Sequence, residues 1–135
     1  MRKLFIAWFS ALVSMLGLSY LWHGVLLNDL RNIKYPQWYF FFLLLLVYSI
    51  IALILTGYFR YSAPKRDFLP RGFFSGAAFG FFLYLVAFTL GVSFKSSETK
   101  HIVVDFVWQM IEQGIGGMVV SYVFLVAYKI QKVAE

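Results

Sequence analysis

The chain has 135 residues, of which 61% are hydrophobic and only 13% charged, with a net charge of +6. Soluble domains average ~45–50% apolar and ~25% charged residues, so this composition excludes an ordinary water-soluble globule. The lack of cysteine excludes disulfides, thiol redox chemistry, thiolate metal sites, covalently attached c-type haem and cysteine-pair quinone reduction.

A bilayer-crossing helix needs ~20 mostly apolar residues, and four such runs follow one another. The first goes from Leu4 to about Leu27, opened by Arg2 and Lys3 and closed by the polar stretch Asn28 to Pro36. A signal-peptide core spans only ~7–15 residues, whereas this run continues past Gly17 and Ser19, so an uncleaved helix is expected. The second run covers Trp38 to Tyr58, the third Gly72 to about Phe94, and the fourth Ile102 to about Tyr128. Within these residues no stretch remains for a soluble catalytic domain. The predicted fold is all-α, a single membrane domain with four transmembrane helices in an antiparallel bundle.

Lys and Arg in short connections report orientation. The N-terminal end, the second connection and the C-terminal tail hold Arg2, Lys3, Arg60, Lys65, Arg66, Arg71, Lys129 and Lys132, against Arg31, Lys34, Lys95 and Lys100 on the other side. Both termini and the Ala63-Pro64-Lys65-Arg66 connection are therefore expected in the cytoplasm. The same count accounts for the positive charge without nucleic acid, and makes anionic lipid headgroups the expected partner of that connection. Tyr58, Tyr61 and Phe68 are expected at one membrane interface, and Tyr35, Trp38 and Tyr39 at the other.

In lipid, small residues allow helix backbones to approach. Gly72, Gly76 and Gly80, with Ala77, form such a row in the third helix, and Gly114, Gly116, Gly117 and Ser121 in the fourth, so the two are expected to meet as a seam. The first helix offers Ala7, Ser10, Ser14, Gly17 and Gly24. The second has no small stripe and only Tyr48, Ser49 and Thr56 as polar members, so it is expected to be the most lipid-exposed or to serve a homo-oligomer or partner membrane protein.

Only the fourth span holds carboxylates, Asp105 and Glu112, and ionisable groups in a bilayer are costly enough to count as functional candidates. On a helical wheel with His101 at zero, Trp108 falls at ~-20°, Glu112 at ~20°, Asp105 at ~40° and Gln109 at ~80°. Glu112 lies ~15 Å below His101, near the bilayer midplane. Three readings follow for this stripe. It lines an outward-opening pocket for a proton, cation or small polar ligand, with Glu112 as the deep acceptor and Asp105, Gln109 and Trp108 above it. Alternatively, His101 and Asp105 at spacing four ligate a metal completed by His23 with Asp29 or Glu112, or two histidines hold a haem. The plainest reading has Glu112 and Gln109 joining helices by hydrogen bonds, with no ligand.

Against the metal reading, His23 falls ~140° from the small stripe of a regular first helix. Trp22 and Trp108 read as interfacial anchors or pocket walls, and Asn28, Asp29 and Arg31 as solvated residues. No phosphate-binding Gly-x-x-x-x-Gly-Lys loop and no nucleophile elbow occurs, so an enzyme would need a bound metal or cofactor. Otherwise no cofactor is expected.

The segment Gly17-Leu18-Ser19-Tyr20-Leu21-Trp22-His23-Gly24-Val25-Leu26-Leu27-Asn28-Asp29, followed by three more spans, resembles a group of bacterial four-helix membrane proteins of the DUF1761-like type. The segment Asp105 to Gly117 is similar to their last helix. The resemblance covers the first and last helices and implies a small inner-membrane protein; with no activity established for that group, it carries over no catalytic residue.

Overall fold

The computed structural model describes residues 1–26, 36–61, 68–89 and 99–134, with the side chains at 40, 87, 88, 99–101 and 134 outside the description. The described residues build four helices, α1 (Arg2–Ser19, continued by a π-helical segment, Tyr20–Leu26), α2 (Gln37–Arg60), α3 (Phe68–Thr89) and α4 (Thr99–Ala134). Each is long and apolar enough to cross a membrane. No strand occurs among the described residues.

The spans match the hydropathy pattern at their centres; α2, α4 and the starts of α1 and α3 extend beyond it, and the expected ends at Leu27 and Phe94 lie outside the described residues. α3 begins at Phe68, four residues before Gly72, and passes through Pro70. A proline in the first turn is tolerated because its missing N–H is one of the four donors that have no partner inside the helix. α4 continues past Tyr128 to Ala134, where Lys129 and Lys132 place positive charge at the carbonyl end of the helix dipole. At ~1.5 Å per residue its 36 residues reach about 54 Å, well beyond a ~30 Å hydrocarbon core.

α3 packs most extensively on α4, through the expected glycine seam. A Cβ at Gly72 would strike Ser121 and the Gly117 carbonyl, and one at Gly76 the Gln113 carbonyl. At Gly80 it would stand 2.5 Å from the Gln109 carbonyl. Rising numbers on α3 thus meet falling numbers on α4, one helical turn at a time. At Gly76, Gly80 and Gly117 backbone meets backbone, and at Gly72 only the small Ser121 side chain intervenes.

α1 packs on the other flank of α4, where Met15 occupies the space beside Gly116. Its buried face is Ala7, Ala11, Met15, Ser19 and His23, flanked by Leu12. This corrects the predicted small stripe: Gly17 is exposed and would meet no neighbour with a Cβ. In a regular α-helix a row at spacing four drifts ~40° per step, since each residue turns ~100°. The π-helical segment from Tyr20 widens the turn, so each residue advances less and the drift is taken back. His23 is consequently buried, at 8% exposure, where the regular wheel turned it away from the bundle.

α2 does have a packing face, Tyr48, Ile51, Ala52, Leu55, Thr56 and Phe59, built from spacings of three and four. It seats against α1 and α4, while α3, leaning chiefly on α4, leaves a smaller share of itself buried than α2 does. The expectation that α2 is the most lipid-exposed helix is therefore corrected. Phe68, predicted at the interface, is buried edge-on against Phe59 at 5.0 Å between ring centroids. Tyr58, Tyr61, Trp38 and Tyr39 are exposed as expected, and Tyr35 lies outside the described residues.

Candidate functional site

Where α1, α2 and α4 converge, the apolar interior gives way to polar side chains. Glu112 and Gln113, adjacent on α4, are both fully buried. From α2, Tyr48 is 2% exposed, and its hydroxyl donates to the Ser19 hydroxyl of α1 at 3.3 Å. Glu112 and Gln109 lie beside that tyrosine, and Trp108 beside the glutamate. The Tyr48 hydroxyl and the Trp108 indole stand close to the Glu112 carboxyl group, yet neither is aligned closely enough to complete a well-formed hydrogen bond to its oxygens.

That pattern extends around the site. The Gln109 amide nitrogen, both polar atoms of the Gln113 amide, and the Trp22 and Trp108 indole nitrogens are all buried without a hydrogen-bond partner. Buried polar groups are paired in the great majority of cases, and an orphaned one costs about 1–3 kcal/mol. Five such positions gathered on the facing sides of α1 and α4 mark a polar site inside an apolar bundle. At this depth no lysine or arginine occurs in any of the four spans to neutralise Glu112.

The wall on the α1 side is aromatic. Trp22, in the π-helical segment, stacks on Trp108 with ring centroids 4.2 Å apart and planes 9° from parallel. The pair joins α1 to α4 one turn beyond Glu112, which accords with the wall rather than the interfacial-anchor alternative for the two indoles. π-helical turns are rare and recur at functional sites, and this one turns both Trp22 and His23 into the bundle.

Of the predicted residues, the structure brings Glu112, Gln109 and Trp108 together. Asp105 is half-buried and sits further along α4, within electrostatic reach of Tyr84 on α3, whose hydroxyl donates to the Ile102 carbonyl at 2.9 Å. The acidic stripe is thus divided, with Glu112 facing the three-helix junction and Asp105 near α3. The His101 side chain and Asp29 lie outside the described residues, and among the described residues no three metal-binding side chains converge. Asn28, Arg31, Lys65 and Arg66 also lie outside them.

The residues that the wheel missed are Ser19, Tyr48 and Gln113. Gln113 falls at ~120°, off the edge of the stripe. Tyr48 was visible as a polar member of α2, but its rotation toward Glu112 depends on how α2 seats. No protein-family model, curated protein or solved structure matches this chain.

Proposed function

We propose that this chain is a small integral membrane protein of a bacterial inner membrane, an antiparallel four-helix bundle with both termini cytoplasmic, that binds or passes a proton or small polar ligand at Glu112. One observation carries the reading: a fully buried carboxyl group with no basic side chain at its depth and no well-formed hydrogen bond, with only Tyr48 and Trp108 as neighbouring donors and with amide groups beside it that are themselves unpaired. A carboxylate in that position needs a cation, and a carboxylic acid carries a proton; either way the group is a single-charge acceptor near the middle of the membrane. The orientation draws on Arg2, Lys3, Arg60 and Arg71, which stand at the ends of α1, α2 and α3 that lie side by side. The DUF1761-like resemblance of the first and last helices accords with a small inner-membrane protein.

The proton is the occupant to test. Purified protein is reconstituted into vesicles containing a pH-sensitive dye, and a potassium–valinomycin potential draws protons inward. The wild type acidifies the lumen severalfold faster than empty vesicles, and Glu112→Gln, equally abundant and monodisperse, returns the rate to that of empty vesicles. Wild-type vesicles no faster than empty ones, or unchanged flux in Glu112→Gln, would overturn the reading.

The glycine seam favours a second reading, a structural or accessory subunit of a membrane complex, because it invests the closest contacts of the molecule in holding α3 to α4. In that case Glu112→Gln is tolerated and Gly76→Leu is the damaging change. An enzymatic role ranks behind both.

A further inference from the structure

We infer that the groove between α1 and α2, at the end of the bundle where Arg2, Lys3 and Arg60 gather, is a binding site for one anionic phospholipid. It is separate from the Glu112 junction and does not depend on it. The groove has a volume of about 280 Å³ and is walled by Leu4, Phe5 and Trp8 of α1 and by Leu53 of α2. Trp8 already donates its N–H to the Ser49 carbonyl at 3.1 Å, so it offers the groove an apolar ring. Gly57 forms part of the floor, and a Cβ there would meet nothing within 4 Å.

Two polar residues line this apolar groove, one exposed and one buried at its base. Arg60 is exposed at the mouth. One turn deeper, Thr56 is 5% exposed and its hydroxyl has no hydrogen-bond partner. A helical threonine or serine ordinarily returns its hydroxyl to the carbonyl four residues back. Ser14 does so to Ser10 at 2.8 Å and Thr89 to Leu85 at 2.7 Å, but Thr56 does not.

Arg60, Thr56 and Leu53 follow one another down one face of α2 at intervals of ~4.5–6 Å. A phospholipid presents its groups in the same sequence: an anionic phosphate, an ester carbonyl, then an alkyl chain. The guanidinium suits the phosphate by charge-assisted hydrogen bonds, the buried threonine hydroxyl reaches the ester carbonyl on a change of rotamer, and the groove below takes the upper part of one acyl chain. Among the described side chains no acid stands at this end to oppose the phosphate. Net negative charge on the headgroup is favoured because Arg2 and Lys3 stand at the same end of α1, beside the lining residues Leu4 and Phe5.

The test is native mass spectrometry of the full chain in a non-ionic detergent, with phosphatidylglycerol and phosphatidylcholine of identical acyl chains supplied equally. The wild type retains one phosphatidylglycerol at least fivefold over phosphatidylcholine. Arg60→Gln removes that preference, and Gly57→Leu, which fills the groove without a clash, lowers retention of both lipids at least fivefold, each variant keeping the wild-type circular dichroism spectrum. Equal retention of the two lipids by the wild type, or undiminished phosphatidylglycerol on Gly57→Leu, would overturn the inference. Displacement of the lipid by excess inorganic phosphate would do so as well, because it would mean that Arg60 holds an anion without the groove.

Discussion

Glycines in this chain have opposite meanings according to what stands opposite them. Gly17 and Gly57 face open space, whereas Gly76 and Gly117 each lie against a carbonyl of the facing helix. Gly17→Leu and Gly57→Leu should therefore leave thermal stability nearly unchanged. Gly76→Leu or Gly117→Leu should cost about 1–3 kcal/mol or more, because backbone cannot yield as a flexible side chain would; melting in detergent followed by circular dichroism measures the difference. At Tyr48, removing the hydroxyl as Phe breaks the bond to Ser19 and should cost about 1 kcal/mol in the same assay. Glu112 was conspicuous in the sequence because an acid inside an apolar run has few innocent explanations. Ser19, Tyr48 and Gln113 were not, since a hydroxyl or amide becomes informative only when the rotation of its helix is known. For Gln113 the signal available was adjacency to Glu112, which a wheel separates by ~100° but a three-helix junction does not.

At the scale of elements, hydropathy located all four helices and the small-residue rule paired α3 with α4, because both depend on composition along a single chain. What composition lacks is phase. The π-helical segment Tyr20–Leu26 shifts the phase of α1 halfway along, and with it the whole assignment of inward and outward residues near His23. This segment supports the Trp22–Trp108 stack, which provides its own measurement. Two parallel indoles 4.2 Å apart couple their excited states, so the wild type should show a paired positive and negative band in the circular dichroism spectrum that neither Trp22→Phe nor Trp108→Phe retains. Each substitution should also cost about 0.5–1.5 kcal/mol beyond lost burial. If both single variants keep the couplet, the π-helical turn does not hold the rings together in solution.

For the molecule as a whole, the proposed orientation is open to labelling, since the natural sequence has no cysteine to interfere. A single cysteine at Lys132 should be protected from a membrane-impermeant thiol reagent added to intact cells, and one at Gln37 should react. The reverse pattern would turn the bundle over and place Glu112 on a path from the opposite side. Metal content, measured on the same purified protein, addresses His23 and His101 together.

α4 touches each of the other helices, α3 rests on it almost alone, and α1 and α2 also meet each other directly through the Tyr48–Ser19 bond. In chain order it is also the last of the four. When α1 and α2 enter the bilayer, Ser19, Tyr48 and His23 have no Glu112 or Trp108 to meet, and α3 has no partner for its glycine row. The Glu112 junction is therefore complete only once α4 is in place, so a chain truncated before α4 should keep the α1–α2 contact and lose the polar site.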